Sequence, residues 1–266
     1  MAARLALVTG ASSGIGAAFA RIYAAHGYDL AITARRADRL NALADEVRLR
    51  HGVEVMVVPA DLADAAAPAA VLAEVAAHGR VVDALINNAG YGVPGPYGGA
   101  SWKDEQAFLQ VLLVAVCELT HAVLPGMRER AFGRIVNVAS VAALVPGGAS
   151  TAMYGAVKAF LVRFSQSLHL ETRDAGVHVT ALCPGFTYSE FHDVNQTREW
   201  IGQRAPPWLW LGADEVAAAG YEAAEANRPV CVTGAPNKAI VAAAKILPDE
   251  WVMALMSRQS RGVRGR

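Results

Sequence analysis

Cysteine is scarce and scattered in this chain of 266 residues. Cys117, Cys183 and Cys231 are odd in number and far apart, so no disulfide framework or metal knuckle is read from them, and a reducing compartment is the default. Net charge is also missing. The 24 Lys+Arg balance 24 Asp+Glu, which excludes the basic field expected of a nucleic-acid binder. The seven histidines show no metal-ligand spacing, and no metal site is expected. No charged segment, long apolar run and cleavage site precede the first apolar strand, Leu5 to Val8, so no secretion signal is read and a cytoplasmic location is expected. The longest uncharged stretch, Ile135 to Val157, has the length of a membrane span. It collects Asn137, Ser140, Pro146, Gly147, Gly148, Ser150 and Thr151, which a lipid-facing helix does not, and no integral membrane segment is expected.

What is present is apolar and periodic. Hydrophobic residues make up 54% and charged residues 18%, a balance suited to a sheet buried on both faces. Strands are predicted at Leu5–Val8, Leu30–Thr33, Val53–Val58, Ala84–Ile86, Ile135–Val138, Val177–Leu182 and Val230–Val232. Between them the pattern predicts helices at Ile15–His26, Asp38–His51, Ala65–His78, Asp104–Arg130, Ala152–Ala175 and Asp214–Ala226. This alternation predicts an α/β fold with a doubly wound, parallel, Rossmann-type sheet of about seven strands and helices on both faces. No linker or internal repeat divides the chain. Residues 1–256 are expected to form a single catalytic domain with an irregular substrate loop at 184–212, and the arginine-rich 257–266 a mobile tail.

Four motifs carry chemistry. Thr9-Gly10-Ala11-Ser12-Ser13-Gly14-Ile15-Gly16 follows the first strand and opens a helix. Its glycines allow a tight turn, a close backbone approach to a pyrophosphate at a helix N-terminus, and close packing of helix on sheet. At the end of the second strand an acid that would bind ribose hydroxyls is missing. Arg35 and Arg36 stand there instead, and two cations suit a 2′-phosphate, so NADP(H) is the expected cofactor. Tyr154 and Lys158 share one helical face, where an ammonium near a phenol is expected to move it toward working pH. Ser140 ends the fifth strand, fourteen residues before Tyr154, where a hydroxyl can hydrogen-bond a substrate oxygen.

Together these residues resemble the short-chain dehydrogenase/reductase family, over nearly all of the chain from Leu5 to about Cys231. Asn87-Asn88-Ala89-Gly90 matches the family signature after the fourth strand, Asp61-Leu62 its adenine-contacting pair, and Pro184-Gly185-Phe186-Thr187 the turn that holds the nicotinamide amide. The resemblance implies that Tyr154 is the proton donor and acceptor, that Lys158 lowers its pKa and binds the nicotinamide ribose, and that Ser140 holds the substrate carbonyl. It also implies a homodimer or homotetramer. Tyr91, Tyr97, Phe186, Tyr188 and the pair Trp208 and Trp210 suggest an apolar small-molecule carbonyl or alcohol as substrate and a partly packed lid.

One family feature is missing. The family's fourth helix usually carries an asparagine that supports a kink and a water leading from the lysine to solvent. Leu112 stands in that place, and no asparagine occurs between Asn88 and Asn137. The expectation is a working enzyme with a compromised proton relay. The alternative is a nucleotide-binding protein of the same fold with little catalysis, a sensor or scaffold.

Overall fold

The computed structural model describes residues 3–93, 95–147, 152–191 and 206–260, with side chains described as far as Ala254. In chain order its elements are β1 (Leu5–Thr9), α1 (Gly14–Ala25), β2 (Asp29–Thr33), α2 (Ala37–His51), β3 (Val55–Val57), α3 (Ala67–Ala77), β4 (Ala84–Asn87) and α4 (Trp102–Leu109). A π turn (Gln110–Val114) leads into α5 (Ala115–Glu129), β5 (Gly133–Val138) and α6 (Ala152–Thr172). Then follow β6 (Val177–Cys183), β7 (Thr187–Tyr188), β8 (Leu211–Gly212), α7 (Ala213–Glu225), β9 (Val230–Val232), α8 (Ala235–Ile246) and α9 (Asp249–Ser260).

Seven parallel strands form the central sheet in the order β3-β2-β1-β4-β5-β6-β9. The order reverses between β1 and β4, and the crevice beyond the carboxyl ends of strands at such a switch is where this architecture binds ligands. Alternate residues of each strand face opposite ways. Ala6 and Val8, Leu30 and Ile32, Val136 and Val138 join Phe19, Tyr23, Leu40 and Val216, so this face buries α1, α2 and α7. Leu5 and Leu7, Ala31, Ile135, Val177 and Val179 join Val71, Leu119, Met127 and Leu168, so the other face buries α3, α5 and α6. The doubly wound sheet expected from the apolar strand runs is therefore present.

By length and composition alone, Trp102–Glu129 is apolar enough to cross a membrane. Its buried residues Phe108, Leu112, Ala115, Leu119 and Met127 pack into the hydrophobic clusters of the fold, as a core helix does. The expected helix Asp104–Arg130 differs in another way: its α register breaks at the π turn.

Two helices, α8 and α9, are not in the sequence reading. In α8 the buried residues are Asn237 and Val241 alone, so no apolar stripe announces it. Gly234 at φ 79 followed by Pro236 in the first turn is the start signal that was there to be used. Segment 184–212, read as irregular, contains the short parallel pair β7–β8. Of the arginine-rich tail, residues 261–266 lie outside the described residues.

Candidate active site

The glycine-rich loop leaves β1 through Gly10, at φ 67, and enters α1 at Gly14, at φ 54; both lie in the left-handed region that glycine adopts without a steric cost. A Cβ on Gly16 would stand 2.3 Å from the Gly10 carbonyl oxygen and 2.4 Å from Asn88 Nδ2, so only glycine lets α1 begin here. No side chain caps the first turn of α1 and no acid lies in it, which leaves its N–H groups and dipole for an anion. A Cβ on Gly10 would meet Ala89 Cα at 2.8 Å, so the β1 and β4 loops touch backbone to backbone. Thr9, which was not singled out in the sequence, ties them together. Its hydroxyl accepts from the backbone N–H of Asn88 at 2.9 Å and of Ala89 at 3.0 Å, and Asn88 Nδ2 donates to the Thr9 carbonyl at 2.9 Å. This cradle at the switch point fits a dinucleotide.

Arg36, rather than Arg35, faces the loop. Its Nη2 donates to Ser12 Oγ at 3.0 Å and Ser13 Oγ at 3.1 Å, while Arg35 is exposed. Arg36 and Arg39 both bind the carboxylate of Glu190. Arg39 was also missed, although it lies one turn along α2 from Arg36, at the spacing that places two side chains on one face. A cleft of about 360 Å³ lies beside them, lined by Ser12, Ser13, Gly14, Arg21, Arg39 and Glu46; Ser140, Tyr154 and Lys158 do not line it. Asp61 is exposed and accepts from the backbone N–H of Ala63 at 3.0 Å, and Leu62 is buried with Phe108 and Leu112. Ile15 packs partly buried against the core under the loop.

Ser140 follows β5 by two residues and caps a 3-10 turn (Val141–Ala143), its Oγ accepting from the Ala142 N–H at 3.1 Å. Tyr154 and Lys158 come from the first turns of α6. The Lys158 Nζ donates to the Val138 carbonyl at 2.7 Å and lies 5.7 Å from the centre of the Tyr154 ring. Ser140, Tyr154 and Lys158 thus meet at the carboxyl end of β5. Their electrostatics differ from the sequence expectation. Burial pushes the Tyr154 phenol up to about 12, against a hydrogen bond with Ser140 that pulls it down. Burial also pushes the Lys158 ammonium down to about 8. With the ammonium buried and bonded to a carbonyl, desolvation outweighs the favourable interaction with the Cys183 thiol.

This has a consequence for stability. Between about pH 8 and 10.4 the folded chain has released a Lys158 proton that the unfolded chain keeps, so unfolding takes up a proton and stability rises with pH across this window. Tyr154 acts in the opposite sense only above its ordinary value near 10. The melting temperature of the ligand-free protein is expected to rise from pH 8 to 10 relative to that of Lys158→Met. Parallel melting curves for the two proteins across that range would refute the buried, weakened ammonium.

A buried polar network lies below the trio. Asn87 Nδ2 donates to Asn137 Oδ1 at 2.8 Å and to Thr120 Oγ1 at 3.2 Å, Asn137 Nδ2 donates to Ser165 Oγ at 2.9 Å, and Ser165 donates to the Leu161 carbonyl at 2.7 Å. It links β4, β5, α5 and α6, and with them the elements that carry Ser140 and Tyr154. Leu112 is 1% exposed, packs in one cluster with Val157 and Tyr154, and lies 3.5 Å from where a Gly90 Cβ would stand. Leucine takes the place of the asparagine, and the helix carries a π turn here all the same. The Ala115 N–H donates to Gln110 O, five residues back, and this slip of one residue deprives a carbonyl of its usual donor without any asparagine.

The turn after β6 is held from two sides. Pro184 O accepts from the Val141 N–H at 2.9 Å, and a Cβ on Gly185 would collide with the buried Asn237 at 2.3 Å. Thr187 Oγ1 donates to Gly185 O at 3.1 Å. Trp210 stacks on Phe186 and Tyr188 with ring centres 5.4 and 4.9 Å apart, whereas Trp208 and Tyr97 are exposed. Phe191 reaches Tyr154, with ring centres 5.8 Å apart.

Known proteins share these features. Residues 4–200 match the short chain dehydrogenase family. The chain is 34% identical over 233 residues to an NADP-dependent 3-hydroxy acid dehydrogenase of Salmonella typhi, covering 87% of this chain and 86% of that protein. Among solved structures it is similar to a short-chain dehydrogenase from Sphingobium yanoikuyae in complex with NADPH (TM-score 0.78, 31% identity, 91% of this chain and 94% of the other). It is likewise similar to a short-chain dehydrogenase/reductase from Burkholderia phymatum in complex with NAD (TM-score 0.79, 28% identity, 90% and 92% covered). With its sheet order, its glycine-rich loop and the match over residues 4–200 in agreement, this chain belongs to the short-chain dehydrogenase family and is an oxidoreductase.

Proposed function

We propose that the protein is an NADP(H)-dependent oxidoreductase that interconverts a small, apolar carbonyl compound and its alcohol, with Tyr154 as the general acid and base. The meeting of Ser140, Tyr154 and Lys158 beyond β5, beside a glycine-rich loop backed by Arg36, carries this reading. Gly10, Ser12, Ser13, Gly14, Ile15, Gly16, Asn88, Ala89 and Gly90 would cradle the dinucleotide, and Asp61 and Leu62 its adenine. Pro184, Gly185, Phe186 and Thr187 would hold the nicotinamide amide. When bound, NADP(H) supplies or accepts the hydride. Ser140 orients the carbonyl oxygen, Tyr154 transfers the proton to it, and Lys158 holds the ribose and supports the phenolate once an oxidised nicotinamide adds its charge. Residues 1–256 act as one catalytic unit, the chain works as a homodimer or homotetramer, and its place is the cytoplasm. The sensor or scaffold reading rests on Leu112; the intact trio and the π turn support catalysis instead.

Steady-state turnover of a panel of ketones and alcohols with NADPH, NADP, NADH and NAD tests the reading; turnover of none of them would sink it. Cofactor choice has its own test. Arg36→Ala removes a charge-assisted contact and is expected to cost about 1.5–3 kcal/mol of NADPH binding, while NADH is nearly unaffected. Arg35→Ala, at an exposed position, is expected to cost less. Equal losses for both cofactors in paired titrations would remove Arg36 from the 2′-phosphate site.

A further inference from the structure

Glu190 stands out because its partners come from the opposite end of the chain. One carboxylate oxygen accepts from Arg36 Nη2 at 2.8 Å, and the other binds Arg39. The same Arg36 nitrogen holds Ser12 and Ser13, and the Ser13 hydroxyl also hydrogen-bonds Glu190. Two guanidinium groups and a serine hydroxyl around a carboxylate make an anion site, and the same donors suit the oxygens of a phosphate monoester. The segment that brings Glu190 there runs across the glycine-rich loop: a Cβ on Gly14 would stand 2.8 Å from Ser189 Cβ. The next residue, Phe191, packs on the Tyr154 ring. Three successive residues therefore connect the cationic site, the loop and the acid.

We propose that Glu190 is an internal competitor for the 2′-phosphate of NADP(H), and that Arg39 is the second cation of that phosphate site beside Arg36. This rests on the NADP(H) reading above. One carboxylate and one phosphate cannot share the two guanidinium groups, so the phosphate displaces Glu190, and Phe191 leaves Tyr154 with it. NADH has no group to make that exchange. Glu190 thus lowers the affinity for NADP(H) while leaving that for NAD(H) untouched, so it blunts the preference the two arginines create, and it links phosphate recognition to the exposure of Tyr154. The three charged groups are each about a third to a half exposed, so solvent screens the pair and the effect is modest.

The test is fluorescence titration of the full chain with NADPH, NADH and adenosine 2′-monophosphate, the last a probe of the clamp alone. Glu190→Gln is expected to tighten NADPH and adenosine 2′-monophosphate by about 5-fold, the penalty that a competing surface ion pair imposes on a ligand, and to leave NADH within about 2-fold. Arg39→Gln is expected to weaken NADPH by about 5-fold or more with little effect on NADH. In the double variant the gain from Glu190→Gln is expected to shrink, because the two residues contact each other. Unchanged NADPH affinity in Glu190→Gln overturns the proposal, as does equal tightening of NADPH and NADH, which is plain charge repulsion. A wild-type protein with no preference for NADPH over NADH overturns the cofactor reading itself, and that result comes from the wild type alone.

Discussion

Tyr154→Phe is expected to lower turnover on a confirmed substrate by at least ~10²-fold, the low end for removal of a general acid, with NADPH affinity nearly unchanged. The substitution deletes one oxygen and keeps the ring, so the packing against Phe191 and the cluster with Leu112 and Val157 persists. Stability is expected to hold or rise slightly, because the phenol sits where burial already disfavours its charged form. The surroundings that push this phenol up to about 12 also make the effect large: without a strongly bound cofactor cation, Tyr154 is held as the acid, ready to give its proton to a developing alkoxide. In the direction of alcohol oxidation the same group must lose its proton, so turnover in that direction is expected to rise with pH. A phenylalanine variant with wild-type turnover would show that another group supplies the proton.

Leu112→Asn carries the second large effect, on stability. Leu112 is fully enclosed by Gly90, Phe108, Val111, Ala115 and Val157. An amide there loses the apolar contacts of a buried leucine and brings a polar group without a partner, together about 3–5 kcal/mol. At roughly 2–4 °C per kcal/mol for a chain of this size, the melting temperature is expected to fall by about 10 °C. The π turn already breaks the helix in the presence of leucine, so no gain in turnover is expected from the asparagine. The measurement pairs thermal melts with turnover in H₂O and D₂O for both proteins. A variant that keeps its melting temperature and turns over faster with a smaller solvent isotope effect would show that the amide was the missing part of the relay.

The contrast between these two residues shows how far a sequence reading reaches. Tyr154 and Lys158 are legible because four residues make one helical turn, whatever surrounds the helix. The effect of Lys158 on Tyr154 is not legible, since it depends on whether the ammonium points at the phenol oxygen or at a carbonyl, and here it donates to Val138. Likewise Arg35 and Arg36 are adjacent and chemically equal in the sequence. The twist of the chain entering α2 turns Arg36 to the loop serines and leaves Arg35 exposed.

Local chemistry repeated along the chain decided the elements that alternate in the sheet and the glycine-rich loop. Apolar strand runs, helical periods and glycines at forced turns act over a few residues, so they stand in the sequence unaided. Tertiary structure alone decided the contacts between distant segments: Thr9 with Asn88, Asn87 with Asn137, Gly185 with Asn237, and Glu190 with Arg36 and Arg39. It also decided the π turn, whose residues Gln110 to Val114 include no glycine or proline. Such contacts join residues up to 154 positions apart, and which side chains meet there is set by the winding of the sheet, which no local pattern records.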